Sequence, residues 1–323
     1  MQTYQSLFHQ EFFQLRDKHV RALTWLLLSP AVLDERSPMW HRQLAHLSLP
    51  ERSQLKRWLF ELDAHPTPLH EAVQQHESLR LGHYAENLLG YFFQHEGLLF
   101  GKSLQINDKA NHTIGEFDYL LFGHSGLIHL ELATKFYLFQ LTGATRHVAS
   151  VFDYLGPNLN DSLGAKMQKI IGKQLTLSQH PAAQRAIPQG ISSAKALVKG
   201  WLFYRTTERI ANAVQGIAEG HCMGFWWTID ELKKLAIPYA TILERLDWLA
   251  PAQVDEADVM KKDIVVDMIE RHFHVDQRPV LVAIMRRSGD LMQEFCRGFV
   301  VPDNWPVRAA QVERPEPREQ IRA

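Results

Sequence analysis

Cysteine is nearly absent: Cys222 and Cys296 are the only two in 323 residues, far apart and without metal-ligand spacing. That excludes a disulfide framework and a cysteine zinc site, and the expected setting is a reducing, cytoplasmic one. Long apolar runs are missing too. Near the N-terminus the run from Ala22 to Leu28 follows a polar, acid-containing stretch unlike a signal peptide, and it falls far short of the roughly 20 residues that span a bilayer. No membrane partner is expected. Neither sign of charge dominates. With a net charge of −1 and a pI near 7 there is no global pull toward nucleic acid, so any such surface must be a local patch. Gly-rich phosphate loops, a Ser elbow, a Rossmann fingerprint and internal repeats are all absent. His272 and His274 form a His-x-His pair, but no third ligand at zinc spacing accompanies it.

What is present in quantity is apolar residue, at 46% of the chain, ample for a core. The length exceeds a typical single domain, so more than one unit is expected. The most telling stretch is Gly115-Glu116-Phe117-Asp118-Tyr119-Leu120-Leu121-Phe122, followed after Gly123-His124-Ser125-Gly126 by Leu127 to Leu138. It reads as a β-hairpin. Side chains alternate along a strand, so Ile128, Leu130, Leu132, Phe136 and Leu138 share one face. His129, Glu131, Ala133, Lys135 and Tyr137 share the other. A two-residue loop sets Asp118 directly opposite Glu131. Two carboxylates roughly 5 Å apart at Cβ repel each other, and a divalent cation with a taste for hard oxygen ligands, Mg²⁺ or Mn²⁺, would relieve that. The competing reading is a solvated sheet face carrying ordinary polar residues.

Upstream, Leu79 to Phe93 has the spacing of an amphipathic helix, with Leu81, Tyr84, Ala85, Leu88 and Phe92 on its stripe. Glu86 stands off that stripe among Gly82, Leu89, Gly90 and Phe93. An acid so placed is expected to be partly buried, which is costly without a partner or a metal. The glycines cost about 1 kcal/mol each in helix propensity and permit close approach to another backbone.

This helix acid, a strand, and a hairpin bearing Asp and Glu-Leu-Ala-Thr-Lys resemble the PD-(D/E)XK nuclease superfamily. More narrowly, Gly-Glu-Phe-Asp, His-Leu-Glu-Leu-Ala-Thr-Lys-Phe-Tyr-Leu and Val-Pro-Asp-Asn-Trp-Pro are similar to an uncharacterised bacterial family (domain of unknown function 1853), over nearly the whole chain. The resemblance implies an α/β fold. Its core would be restriction-endonuclease-like, α-β-β-β-α-β, with strands at 98–106, 116–122 and 127–138, a helix at about 161–177 and a strand at 197–204. It implies metal ligation by Asp118, Glu131 and the carbonyl of Leu132. Glu86 would support the metal or its water, and Lys135 would be the cation near the attacking water. The superfamily pattern places that lysine two residues after the Glu, where this chain has Ala133. Lys135 lies one pleat further on, so its ammonium is expected to reach the acids by lying back over Ala133.

Punctuation divides the chain. Residues 1–75 read as helices broken at Ser29-Pro30, Ser37-Pro38 and His65-Pro66-Thr67-Pro68, residues 76–206 as the core, and 207–311 as a C-terminal α+β unit. Within that unit, Thr228 and Glu231 make a capping box for a helix at 229–235. A longer helix fits 255–273, and strands fit 279–285 and 291–301. From Val312 on, Pro and charge indicate a disordered tail. The connection from Phe139 to Asn160 carries Arg146, His147, Tyr154 and Asn158 and is either a substrate lid or plain cover for the sheet edge. Lys166, Lys169 and Lys173 share a helix face, for phosphates or for solvent. Phe225-Trp226-Trp227 is core for the second unit. The expected function is a Mg²⁺- or Mn²⁺-dependent nuclease acting on DNA or RNA. The alternative is a non-catalytic nuclease-fold module that binds nucleic acid or a protein partner.

Overall fold

The computed structural model describes residues 3–74, 80–141, 148–205 and 214–314. Arg146 and His147 of the long connection therefore lie outside the described residues, as does the tail beyond Arg314. Helices α1 (Tyr4–Phe12), α2 (Lys18–Leu28), α3 (Arg52–Ala64) and α4 (Thr67–Gln74) occupy the N-terminal region. Asp17 starts α2 by accepting the N–H groups of His19 and Val20 with its carboxylate, a favourable N-cap. Every residue from Val20 to Leu27 is then buried. The chain turns at the Pro-containing breaks, as the punctuation indicates.

Helix α5 (Leu81–His95) leads into β1 (Leu99–Asn107), β2 (Thr113–Gly123) and β3 (Gly126–Phe139). The short β4 (Tyr154–Leu155), α6 (Leu163–Lys169), α7 (Pro181–Ala186) and β5 (Ile191–Arg205) follow. β6 (Cys222–Thr228), α8 (Ile229–Lys234), β7 (Tyr239–Ile242), β8 (Gln253–Val254) and β9 (Met260–Lys261) come next. Last are α9 (Lys262–Val275), β10 (Val280–Ser288), β11 (Leu291–Val301) and α10 (Trp305–Ala310).

The described strands join in one 11-stranded mixed sheet, ordered β1-β2-β3-β5-β6-β11-β10-β7-β9, with β4 on β3 and β8 on β11. Its centre is parallel: β3 with β5, β5 with β6, and β6 with β11. Such strands are covered on both faces and read as continuous apolar runs, and Ala196 to Tyr204 of β5 are buried without a break. The sheet therefore runs straight through the boundary expected at 206, because β6 pairs beside β5. On one face α1, α2 and α5 pack over Leu130, Trp201 and Phe203; on the other, Leu163 and Met167 of α6 cover Ala133, Tyr137 and Val198. Gly200 lets β3 and β5 come together at Lys135, since a Cβ there would stand 1.9 Å from the Lys135 carbonyl oxygen.

Three expectations change. The helix expected over 161–177 ends as α-helix at Lys169, continues as a π turn over Ile170–Gln174, and closes as a 3-10 turn over Leu175–Gln179. The helix expected from 255 begins at Lys262, because 255–261 holds a 3-10 turn (Glu256–Asp258) and β9 pairs with β7. The connection after Phe139 is partly built into the core. Tyr154 is buried in β4 with its hydroxyl 3.2 Å from that of Tyr204, so it covers the sheet, while Asn158 lines a surface cleft. The capping box of α8 forms as its sequence indicates. Trp226 and Trp227 are buried. At the start of the expected tail, Arg314 reaches back to Asp153, Nη1 to Oδ1 at 2.6 Å.

Candidate functional site

The hairpin register follows from its turn: Tyr119 pairs with Leu130 and Gly123 with Gly126. One more step would pair Asp118 with Glu131, but the ladder stops there and the strands diverge. β1 carries an irregularity at the same level. Ser103, opposite Asp118 in the β1–β2 register, has φ of +52°, a left-handed conformation unusual for serine. The chain direction shifts at this point. Phe117 packs with Leu120 and Leu127, whereas Tyr119 and Leu121 belong to the opposite core. The Leu132 N–H, left without a strand partner, donates to Asp118 Oδ2 at 2.8 Å. In an extended strand a residue's N–H and C=O point the same way, so the Leu132 carbonyl also faces this fork.

Glu131 is only 1% exposed and projects from β3 toward the α6 side. His129 Nε2 lies 2.7 Å from its Oε1, and the Gln174 amide of the π turn donates to its Oε2. His129 in turn packs edge-on against Phe117, with ring centroids 4.5 Å apart. Asp118 uses one oxygen on Leu132. Burial, with Glu131 and Glu86 nearby, pushes its carboxyl up to about 8. Glu86 is half-buried on α5, close enough to repel both acids electrostatically. Burial raises its pKa, offset in part by His83 and Lys102. Gly90 has the role that a glycine there suggests: the Lys102 stem crosses it, 3.1 Å from where a Cβ would sit, and the ammonium bonds Asn87 Oδ1.

The lysines are arranged differently from expectation. Lys135 does not fold back over Ala133 to the two acids; its Nζ stands 4.0 Å from Asp161 Oδ2. Lys166 is the lysine turned toward the carboxylates. Its Nζ donates to Gln174 Oε1 at 3.3 Å. Burial and the neighbouring Lys135 and Lys169 lower its pKa, while Asp118 and Glu131 act in the opposite sense. Lys169 and Lys173 are exposed, so the three do not act as one row. The sequence does hold a signal for Lys166: it lies three residues after Leu163 and four before Ile170, both buried, at the margin of the apolar stripe. His129 could have been found as the residue two before Glu131 on the same face. Gln174 could not, because only the π turn brings it to Glu131.

Lys135 also lines a cleft of about 680 Å³ together with Arg80, Arg245, Arg278, Asp161 and Glu244. His272 lines it too, with its Nε2 3.0 Å from the Arg278 carbonyl oxygen. Among the described residues, no three His, Cys, Asp or Glu side chains are gathered closely enough to hold a metal ion by themselves. No helix among them is long and apolar enough to cross a membrane. Neither curated proteins nor solved structures contain a match to the chain. The family model of a domain of unknown function, DUF1853, matches residues 21–301, and the chain belongs to that family.

Proposed function

We propose that this protein is a divalent-metal-dependent phosphodiesterase acting on DNA or RNA, with a PD-(D/E)XK-like, restriction-endonuclease-like core. The observation that carries this reading is the strand fork, where Asp118, the Leu132 carbonyl and Glu131 come from two diverging strands next to a helix acid, Glu86. The order α5-β1-β2-β3-β4-α6-α7-β5, which is α-β-β-β-α-β with the short β4 and α7 added, and the parallel pairing of β5 with β3 support it.

The donor set suits Mg²⁺ or Mn²⁺ in kind, being all hard oxygen. Among the described residues no lysine or arginine forms an ion pair with Asp118, Glu131 or Glu86, so ionising these acids together is costly unless a cation offsets their charge. Asp118, Glu131 and the Leu132 carbonyl would hold the ion. When bound, it would polarise a phosphoryl oxygen and acidify a water. Glu86, whose pKa burial raises, would orient that water. Lys166, rather than Lys135, would meet charge developing on the phosphate, as positioned cations do in phosphoryl transfer. Lys135 and the arginines of the adjoining cleft would hold the substrate backbone.

The second reading, a non-catalytic nuclease-fold module that binds nucleic acid or a protein partner, has one observation in its favour. Both oxygens of Glu131 already accept hydrogen bonds. A panel of single- and double-stranded DNA and RNA with Mg²⁺ or Mn²⁺ separates the two readings. Under the first, Lys166→Ala should lower kcat by about 10²–10³, the range for a group that stabilises charge only in the transition state. Lys135→Ala should mainly raise KM. Equal kcat losses in both variants would refute this division of roles. Absence of cleavage by the parent protein, with no Mn²⁺ heat by titration calorimetry, would favour the binding module.

A further inference from the structure

β5 is longer than its neighbour β6, and that difference creates a pocket. The β5–β6 ladder begins only at Trp201 with Cys222. Toward the start of β5, a loop segment covers the same edge through Ala45 N–H to Ala196 O and Ala196 N–H to Gln43 O, both at 2.8 Å. Between these two pairings lies Val198. Its N–H and C=O point the same way as those of Ala196, two residues before it, because backbone directions repeat every second residue. They open into the gap.

Lys199 stands beside this gap on the opposite course of the strand, with only 6% of its surface exposed. Its Nζ donates to the Ser29 carbonyl at 2.6 Å, just past the end of α2. Part of its role is therefore structural, a cation at a helix C-terminus. That leaves two ammonium donors to account for. Among the described residues no carboxylate forms an ion pair with it, and burial pushes its pKa down to about 8. The Ser29 hydroxyl is also buried and has no hydrogen-bond partner. A buried charge without a counter-ion and an unpaired hydroxyl are both costly.

Ser29 and Lys199 line one cavity of about 220 Å³ whose walls include Leu27, Leu33, Leu47 and Leu197. At roughly 30 Å³ for each water-sized group, it has room for about seven. Glu35 and His46 also line it, and their side chains pair with each other at 50% and 60% exposure. Glu35 is thus engaged at the surface and leaves the ammonium inside without its anion.

We propose that this pocket binds a small aliphatic monocarboxylate. The carboxylate accepts from the Lys199 ammonium and the Ser29 hydroxyl, and the chain lies against the leucines. Apolar walls with a few converging polar groups are the usual make-up of a small-molecule site. None of the cavity's lining residues belongs to the strand fork, so the inference stands apart from the nuclease reading.

The test uses hexanoate and hexanol, which share a chain and differ in charge, measured by titration calorimetry and thermal shift on the full chain. Hexanoate should bind the parent protein with at least about tenfold higher affinity than hexanol. Lys199→Met keeps the length and apolar stem of the side chain and should reduce hexanoate binding by at least about tenfold, with circular dichroism checking its fold. Ser29→Ala should weaken binding by a smaller factor. The proposal fails if hexanoate at about 10 mM neither binds nor shifts the melting of the parent protein. It also fails if hexanol binds equally well, or if folded Lys199→Met retains full hexanoate affinity. Should Lys199→Met not fold, the comparison of hexanoate with hexanol on the parent protein decides alone.

Discussion

Asp118→Asn is expected to make the protein more stable and inactive at once. Asparagine keeps the acceptor for the Leu132 N–H and removes a charge held among Glu131 and Glu86. In the metal-free protein the Asp118 carboxyl is raised to about 8 from an ordinary value of 3.8. The folded state then binds more protons than the unfolded state between those two values. Its stability therefore falls as pH rises through that window. The variant lacks this slope. It should equal the parent near pH 4 and exceed it by on the order of a few kcal/mol above pH 8, read from urea unfolding in EDTA. Cleavage supported by Mg²⁺ or Mn²⁺ should fall by at least about 10³, some 4 kcal/mol of barrier. Added Mn²⁺ should stabilise the parent protein but not the variant. Unchanged cleavage would overturn the assignment of Asp118, and a less stable variant at high pH would overturn the account of its charge.

The largest loss of stability is expected far from the fork, in β11. Glu294 and Arg297 are both fully buried, paired through Arg297 Nε to Oε1 at 2.8 Å and Nη2 to Oε2 at 2.7 Å. Residues three apart in a regular strand point to opposite faces. These two share a side because the β10–β11 register shifts between Ile284 and Met285, leaving Phe295 as the extra residue of a bulge. Arg297 lies over Trp201, 4.3 Å from a ring centroid. It also donates to the Trp248 and Ala250 carbonyls, while Glu294 Oε2 takes the Ala252 N–H. Removing one member strands the other, so Arg297→Leu should cost about 3–5 kcal/mol. Glu294→Met/Arg297→Leu should recover part of that, since no lone charge remains, although two carbonyls and one N–H still lose partners. Denaturant unfolding of the single and double variants measures both. A single variant within about 1 kcal/mol of the parent would show that the pair is well solvated.

Much of the frame was legible in the chain because it depends on local period and on turn length. Alternation in Leu127 to Leu138, with a short loop before it, is enough to set the hairpin register, and the continuous apolar run around Trp201 marks a strand covered on both faces. The same patterns place Glu86 on the helix that flanks the hairpin. What they miss depends on departures from regularity. A left-handed serine at position 103 has no composition signal, nor has the end of the β2–β3 ladder at Tyr119, beyond which Asp118 accepts the Leu132 N–H. A simple helical wheel puts Lys166 on the same side as Lys169 and Lys173. The change of winding after Lys169 breaks that side up and leaves Lys166 inward. The role expected of Lys135 rests on analogy with a spacing this chain does not have, and its ammonium lies beside Asp161 instead.

The π turn has a consequence for chain length. A π turn is in effect an α-helix carrying one surplus residue. Here it is sealed by the Leu175 N–H on the Ile170 carbonyl, five residues back. Gly172 within it is exposed, and nothing lies within 4 Å of where its Cβ would be. Point substitutions there touch no neighbour, so that position tolerates many side chains. Loss of the residue is another matter. Closing the segment to ordinary α-helix would turn Lys166 relative to Gln174 by about 100°, one residue's share of a helical turn. The two side chains that now meet beside Glu131 would then face different ways. This stretch is thus permissive toward substitution and intolerant of deletion, a constraint on counting residues with little demand on their chemistry.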